Sequence, residues 1–197
     1  MENNIIYFDK KQNKAVYADM RWVLAAVGQG DTRFNLCRLC AKPDRLEATD
    51  GHRLHIIDRP PQFYGLEPGF YEVKRNTKAQ GIVLEREQAD INWPDTDCVI
   101  PKKTDLVWFY SARSGGAVGY DVERDSFPVE ISSKYYGFVS SAAAKIIRAM
   151  DEGCINLNYL RDALDLEESF DAYVTDGVHP VLLANHNYRA VVAPMRV

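Results

Sequence analysis

Long apolar runs are missing from this sequence, and their absence limits what kind of protein it can be. No stretch approaches the roughly 20 apolar residues that a membrane-spanning helix needs. The N-terminal stretch "MENNIIYFDKKQNK" also lacks the basic start and the apolar segment of a secretory signal peptide. We therefore expect a cytoplasmic protein.

Cysteine is scarce as well, with four residues in a chain of 197, which fits free thiols in a reducing compartment. Cys37 and Cys40 form one Cys-x-x-Cys pair in "NLCRLCAK". No second Cys or His pair follows at the spacing of a structural zinc site. The surrounding residues are typical of a strand, so we expect buried thiols and neither a metal nor another cofactor.

A strong excess of one charge is likewise absent, since the formal net charge is −4 with 26% charged and 46% hydrophobic residues. This composition excludes a disordered chain and is sufficient for a buried core. It argues against a protein whose whole surface coats a nucleic acid. A local basic face remains compatible with it, because net charge says nothing about charge distribution.

Strand and helix patterns are mixed without a strict alternation, which predicts an α+β fold. The range 5–17 predicts a strand, a polar turn and a second strand. The next segment predicts a helix with Asp19 as its cap and Gly28 and Gly30 as its stop. The range 33–58 predicts two strands joined by a turn at "KPD".

The rest of the chain predicts further strands and two helices, around a long connector at 90–105 that we expect on the surface. The strands are "FYEVK" and "GIVLERE" with room for one helical turn at 75–80 between them, a hairpin of "LVWFYSA" and "AVGYDVE" across 113–116, and three strands after residue 168 with turns at "DG" and "NHN". The helices are predicted at 140–153 and 156–168. A boundary near residue 103 would give two domains, 1–103 and 104–197, each of a common domain size.

The stretch "LEATDGHRLHIID" (46–58) gathers titratable residues and permits several interpretations. As a plain turn, Gly51 supplies an unusual backbone angle and Asp50 bonds locally. As a metal site or an acid–base enzyme, Asp50, His52 and His55 provide the atoms. On a strand, however, the odd spacing sends His52 and His55 to opposite faces. No G-x-S-x-G or other nucleophile motif accompanies them, so the enzyme is the alternative function and a non-catalytic protein the favoured one.

A further interpretation comes from three segments that occur in order, "ATDGHRL" (48–54), "WPDTDCVIP" (93–101) and "AVVAPMRV" (190–197). Together they resemble the signature strand, the inter-domain linker and the closing strand of the bacterial DNA polymerase sliding clamp, the polymerase III β subunit. "RFNLCRLCA" (33–41) and "NLNYLRDAL" (156–164) resemble neighbouring segments of the same family. The sequence departs from the family pattern at Thr96, where the linker has Tyr, at Cys98, and at Ala193.

The resemblance implies DNA-clamp-like domains, each an antiparallel sheet with one or two helices, and a processivity or scaffold role in DNA replication. It implies a groove that binds short apolar peptide motifs of polymerases and other replication or repair proteins. The implied groove residues are Thr49, Gly51, His52, Arg53, Leu54, Pro94, Val99, Val191, Val192, Pro194, Met195 and Arg196. Val191 and Val192 could instead belong to the core, and Arg196 to a solvated terminus.

The resemblance also implies contact with double-stranded DNA through phosphates, without sequence specificity. The candidate donors are Arg21, Lys145, Arg148 and Arg161, for which a solvated helix face is an equally good interpretation. A two-domain chain that closes a six-domain ring would be a homotrimer with head-to-tail contacts. An accessory or decoy protein that keeps the groove without encircling DNA is the remaining alternative.

Overall fold

The structure, a computed structural model, describes residues 4–30, 34–89, 91–101, 107–113, 154–166, 169–174 and 178–195. It divides the chain into two compact units. Unit 1 comprises Met1–Ile100 and Ala184–Val191, and unit 2 comprises Pro101–Leu183 and Val192–Val197. A C-terminal segment thus belongs to unit 1. The division into sequential domains 1–103 and 104–197 stays a prediction.

Strands dominate the described residues. In chain order they are β1 (Ile5–Phe8), β2 (Arg38–Ala41), β3 (Leu46–Thr49), β4 (Arg53–Ile57), β5 (Gly69–Thr77), β6 (Gly81–Glu87), β7 (Val107–Arg113), β8 (Cys154–Ile155), β9 (Ser169–Val174), β10 (Val181–Ala184), β11 (Tyr188–Val192) and β12 (Pro194–Met195). The helices are α1 (Lys14–Leu24) and α2 (Leu157–Ala163), and 3₁₀ turns occupy Phe34–Cys37, Pro61–Tyr64 and Thr96–Val99. The mixture confirms the predicted α+β class.

Unit 1 is a mostly antiparallel sheet on which α1 packs. Its strands lie in the order β1-β6-β5-β2-β3-β4-β11. The central strands β2 and β3 are buried along their whole length. Because both of their faces are covered, they lack the alternation of polar and apolar residues that a half-exposed strand shows.

Helix α1 begins earlier than the sequence predicts. Asn13 is the N-cap, and its side chain accepts a hydrogen bond from the backbone N–H of Val16. The expected second strand within 5–17 is therefore wrong, because its residues form the first turn of the helix. The expected cap, Asp19, is also wrong: its side chain is buried in the middle of α1.

The range 33–58 contains three strands where two were predicted. The additional break is the turn between β3 and β4, where Gly51 adopts a φ of 86° that side-chain-bearing residues rarely tolerate. The helical turn expected at 75–80 is also wrong. Strand β5 runs on to Thr77 with a register shift between Val73 and Arg75 and returns directly as β6.

Unit 2 is described in less of its length. Strands β7 and β9 pair antiparallel, and β12 pairs with β8 through Pro194 opposite Ile155 and Met195 opposite Cys154. The three predicted C-terminal strands are confirmed as β9, β10 and β11. Helix α2 is capped by Asn156 and ends five residues before the predicted limit of 168. The predicted helix at 140–153 and the strand "AVGYDVE" lie outside the described residues.

Candidate functional site

The turn between β3 and β4 is closed by its own polar side chains. The Asp50 carboxylate accepts hydrogen bonds from the backbone N–H groups of His52 (2.9 Å) and Arg53 (3.0 Å) and from Arg53 Nε (3.0 Å). The Thr49 hydroxyl donates to the carbonyl of Arg53 at 2.7 Å and accepts from the N–H of Gly51 at 3.0 Å. These residues, 49–53, are called the turn cluster below. The Asp50 carboxylate and the Thr49 hydroxyl both hold the backbone of this turn.

The two histidines of this stretch face different environments. His52 is exposed at the tip of the turn, whereas His55 is fully buried. His55 Nδ1 lies 2.8 Å from the carbonyl oxygen of Trp22, and its ring stacks on that indole with centroids 4.4 Å apart. In the described part of the chain, no group of three or more His, Cys, Asp or Glu side chains is placed to hold a metal ion. Asp50, His52 and His55 are thus not directed at one point, as an enzyme built on them would require.

The cross-strand register decides which turn residues share a face of the sheet. Thr49 lies opposite Leu54, and Glu47 lies opposite Ile56. Directly opposite residues point to the same face, and neighbours along a strand point to opposite faces. Thr49 and Leu54 therefore share the face that carries Glu47. Arg53, which precedes Leu54, points to the other face and turns back to Asp50.

The face that carries Glu47 is covered by residues 91–100 of the predicted 90–105 connector. From here on, the connector means residues 91–100. Glu47 is 0% exposed although it is charged. Its carboxylate accepts hydrogen bonds from Trp93 Nε1 at 2.6 Å and from the Thr96 hydroxyl at 2.9 and 3.0 Å. Lys42 Nζ lies 2.8 Å from the same carboxylate. A buried carboxylate is tolerated only when such partners replace the lost water.

Arg45 connects the buried Glu47 carboxylate to Asp97, an exposed residue of the connector. Its Nε donates to Glu47 at 2.9 Å and its Nη1 to Asp97 at 2.9 Å. Burial lowers the pKa of the Arg45 guanidinium, but the hydrogen bond to Asp97 and the charge of Glu47 outweigh it and raise the pKa. The hydrogen bond from Arg45 lowers the pKa of Asp97. The connector anchor, as we name this group, consists of Lys42, Arg45, Glu47, Trp93, Thr96 and Asp97.

The connector anchor was not predicted, although part of its signal is present in the sequence. A glutamate between Leu46 and Ala48 is unusual for a fully buried strand and indicates a specific partner. Its partners Trp93 and Thr96 are 46 and 49 residues away, so no local pattern identifies them. The connector leaves Pro94 exposed and Val99 49% exposed, as a binding surface requires.

A second buried polar cluster holds the C-terminal segment in unit 1. Asp19 accepts hydrogen bonds from the hydroxyls of Tyr64 at 2.9 Å and Tyr188 at 2.8 Å. Burial, reinforced by the Asp19 charge, raises the pKa of Tyr64. Arg189 forms a bidentate ion pair with Asp58. These contacts explain why residues 184–191 belong to unit 1.

The C-terminal residues of the implied groove differ in exposure. Val191 and Val192 are buried, Pro194 is half-buried, and Met195 is 50% exposed. The two valines therefore behave as core residues, the interpretation that the sequence left open. Arg196 lies outside the described residues.

The proposed DNA-facing residues are described only in part. Arg21, near the end of α1, is half-buried and donates from Nη1 to Asn76 Oδ1 at 3.2 Å. The Arg161 side chain is 72% exposed and lies 3.5 Å from the Asp162 carboxylate. Lys145 and Arg148 lie outside the described residues.

Comparison with known proteins identifies the fold. No protein-family model and no curated protein sequence matches the chain. Among solved structures, the chain is similar to the beta sliding clamp of C. crescentus, with a TM-score of 0.57 and 14% identity over 100% of this chain and 67% of that one. It is also similar to the DNA polymerase sliding clamps of Bacillus subtilis (TM-score 0.53, 16% identity, covering 100% of this chain and 65% of that one) and Pseudomonas aeruginosa (0.53, 14%, covering 98% and 67%).

The chain therefore has the α+β fold of bacterial DNA polymerase sliding clamps, as the resemblance of its three sequence segments implied. It spans about two thirds of the length of these clamps (67% and 65%). At identities of 14–16% the likeness concerns the fold. The described residues contain no helix that is both long and apolar enough to cross a membrane.

Proposed function

We propose that the chain is a non-catalytic, clamp-like scaffold in the cytoplasm that binds replication or repair proteins through their short apolar peptide motifs. The observation that carries this proposal is the pairing of a clamp-like fold with an exposed, firmly held connector. Pro94 and Val99 are presented to solvent there, while Trp93 and Thr96 donate hydrogen bonds to Glu47 of the sheet. A rigid apolar surface loses little entropy on binding and therefore suits peptide recognition.

In unit 1, the proposed groove comprises the connector surface and the Thr49–Leu54 pair. In unit 2, Met195 is proposed as a separate peptide contact. Met195 is 50% exposed, and a flexible thioether can adapt to partners of different shape. The turn cluster adds a low and rigid border, because Gly51 has no side chain and its neighbours are bonded to one another.

A peptide titration tests the groove. Leu54 is only 2% exposed, so a substitution there would disturb the core. Val99, at 49%, is the better probe. We expect a short synthetic peptide rich in Leu and Phe to bind the wild type, and Val99→Arg to weaken it about tenfold or more by placing a charge on the apolar surface. Val178→Arg is the matched control, because Val178 is 76% exposed and outside the proposed groove. Equal binding by Val99→Arg and the control contradicts the assignment.

We also propose that the protein contacts double-stranded DNA through phosphates. The exposed side chain of Arg161 and the end of α1 around Arg21 support this, since long cations can reach phosphate oxygens without reading bases. Arg161→Ala should weaken DNA binding to a similar extent for every sequence and reduce its salt dependence by about one phosphate contact. Identical salt curves for Arg161→Ala and the wild type would remove Arg161 from the interface.

Assembly into a head-to-tail homotrimer is part of the same proposal. Strand β1 lies at the end of the strand order in unit 1 and exposes Ile5 at 42% and Tyr7 at 64%. An open, apolar edge strand is a hazard for aggregation unless another strand covers it. A solution mass of three chains is the expected result. A monomer at micromolar concentration that does not stay on circular DNA would reject the ring and favour an accessory or decoy role.

A further inference from the structure

The position of Glu47 in the fold is not explained by the stability of the sheet. It occupies a central strand position where it is 0% exposed. Its cross-strand neighbours are Ile56 on β4 and Cys40 on β2. An apolar residue would fill this position without loss of hydration, so the carboxylate adds nothing to the packing of the strands.

The partners of this carboxylate show what it does instead. Trp93 and Thr96 both belong to the connector and both donate to it directly, at distances of 2.6 to 3.0 Å. Arg45 connects the carboxylate to Asp97, one residue further along the connector. Residues 93 to 97 are therefore attached to the sheet at three positions through one buried group.

Hydrogen bonds to a charged, buried acceptor fix direction as well as distance, whereas apolar contacts permit sliding. Thr96 reinforces this effect, because its hydroxyl donates to Glu47 and accepts from Lys42 at 3.2 Å and Arg45 at 3.3 Å. With Trp93 and Thr96 directed inward, Pro94 and Val99 remain exposed. The arrangement of these two apolar residues thus depends on the contacts of Glu47.

We propose that Glu47 is a positioning residue that holds the connector in the arrangement presenting Pro94 and Val99, and thereby determines the shape and peptide preference of that side of the groove. This inference rests on the proposed peptide-binding function. It adds that Glu47, without contacting the peptide itself, determines how the connector contacts the peptide. Thr96, which stands where the clamp resemblance places a linker tyrosine, is one of the two connector residues that donate directly to this carboxylate.

The test uses the full chain and two readouts. In Glu47→Gln the side chain keeps its shape, but its amide group presents one fewer acceptor to Trp93, Thr96 and the two cations. We expect peptide affinity to fall about tenfold and amide hydrogen exchange in residues 93–99 to accelerate by a similar factor. Amide hydrogen exchange in β5 and β6 should be the same in Glu47→Gln as in the wild type. A residue important only for general stability would accelerate exchange throughout unit 1.

Glu85→Gln is the matched control, because Glu85 is 41% exposed and paired only at the surface with Lys74 at 2.9 Å. Both readouts should stay at wild-type values in this variant. If Glu47→Gln does not fold, Trp93→Phe decides the question, since it removes the indole donor to Glu47 and keeps an aromatic ring beside Phe70. A folded variant of either kind with wild-type hydrogen exchange in the connector, or with wild-type peptide affinity, overturns the inference.

The two proposals fail in different ways. Absence of peptide binding by the wild type rejects the groove, while the exchange experiment still shows whether Glu47 holds the connector. Peptide binding that is equal in wild type and Glu47→Gln keeps the groove and rejects the positioning role.

Discussion

The turn cluster and Glu47, the centre of the connector anchor, lie on one hairpin, yet the two groups use polar residues in opposite ways. In the turn cluster only Gly51 and His52 are exposed. Its bonds join residues that are two to four positions apart. The connector anchor is centred on a residue with no exposure and joins segments about fifty positions apart. The former looked like an active site in the sequence and is a turn. The latter looked like an ordinary strand and organises the candidate site.

The difference shows that proximity of titratable residues in a sequence is weak evidence for a site. The polar residues of a turn can form hydrogen bonds to one another without long-range contacts, because their partners are close neighbours in the chain. A buried carboxylate has no such alternative, and its partners must come from the tertiary structure. The energetic importance of the two regions should therefore differ, and this difference can be measured.

The largest effect is expected from Glu47→Ala, which leaves Arg45 and Lys42 beside an empty, buried position. Removing one side of a buried ion pair costs about 3–5 kcal/mol of unfolding free energy. Urea denaturation followed by circular dichroism would measure it. A loss below that of a turn-cluster variant would invalidate the contrast between the two regions.

Thiol reactivity should distinguish the covered side of the sheet from the connector surface. Burial, reinforced by the charge of Glu47, raises the pKa of the Cys40 thiol to about 12. Native Cys40 should therefore resist alkylation near pH 8, with about a thousandfold less thiolate than a thiol at its ordinary pKa of 9.0. Cys98, which is exposed, should react first, as mass spectrometry of the alkylated protein would show.

The same raised pKa has a consequence for stability. The folded state is favoured fully below the unfolded thiol pKa, near 9, and this contribution is lost as the pH rises from about 9 to 12. A Cys40→Ala variant should lose less stability than the wild type over this alkaline range. If the unfolding free energies of the two proteins depend on pH in the same way, the raised pKa of Cys40 is contradicted.

A smaller effect is expected from Asp50→Ala in the turn cluster. The substitution removes a carboxylate that accepts from two backbone N–H groups and from Arg53. The expected loss is about 1–2 kcal/mol, because the bonds that are lost are local and one of the released N–H groups belongs to the exposed His52. Chemical denaturation of Asp50→Ala and Glu47→Ala under the same conditions gives the ratio of their losses in unfolding free energy. Loss of a stoichiometric metal from this variant would instead revive the metal-site interpretation.

The smallest effect is expected from Asp97→Asn, at the outer end of the connector anchor. The Asp97 side chain is 63% exposed, so its ion pair with Arg45 contributes only about 0.5 kcal/mol. The hydrogen bond from Arg45 lowers its pKa below the ordinary 3.8. The contribution is therefore present above about pH 4 and is lost as the pH falls below it. Thermal unfolding of both proteins at pH 7 and pH 3 should show a smaller difference at pH 3 than at pH 7.

Much of the fold was predictable because it depends on local pattern. The run "IIYF" gave β1, and the segments "SFDAYV", "VLLA" and "YRAVV" gave the C-terminal strands. The beginning of α1 was missed because Asn13 follows a polar turn whose residues resemble a hairpin loop. The continuous strand through Thr77 was missed because a polar run with a register shift carries no clear period.

The sequence by itself determined the local elements, the closed turn around Gly51 and the segments that resemble a sliding clamp. These depend on backbone angles, hydrophobic periodicity and bonds between close neighbours. Only the tertiary structure decided that Glu47 is enclosed by the connector and that Asp19 receives the hydroxyl of Tyr188, 169 positions away. The physical reason is that the cost of burying a charge depends on which distant segment covers it, and no local pattern contains that information.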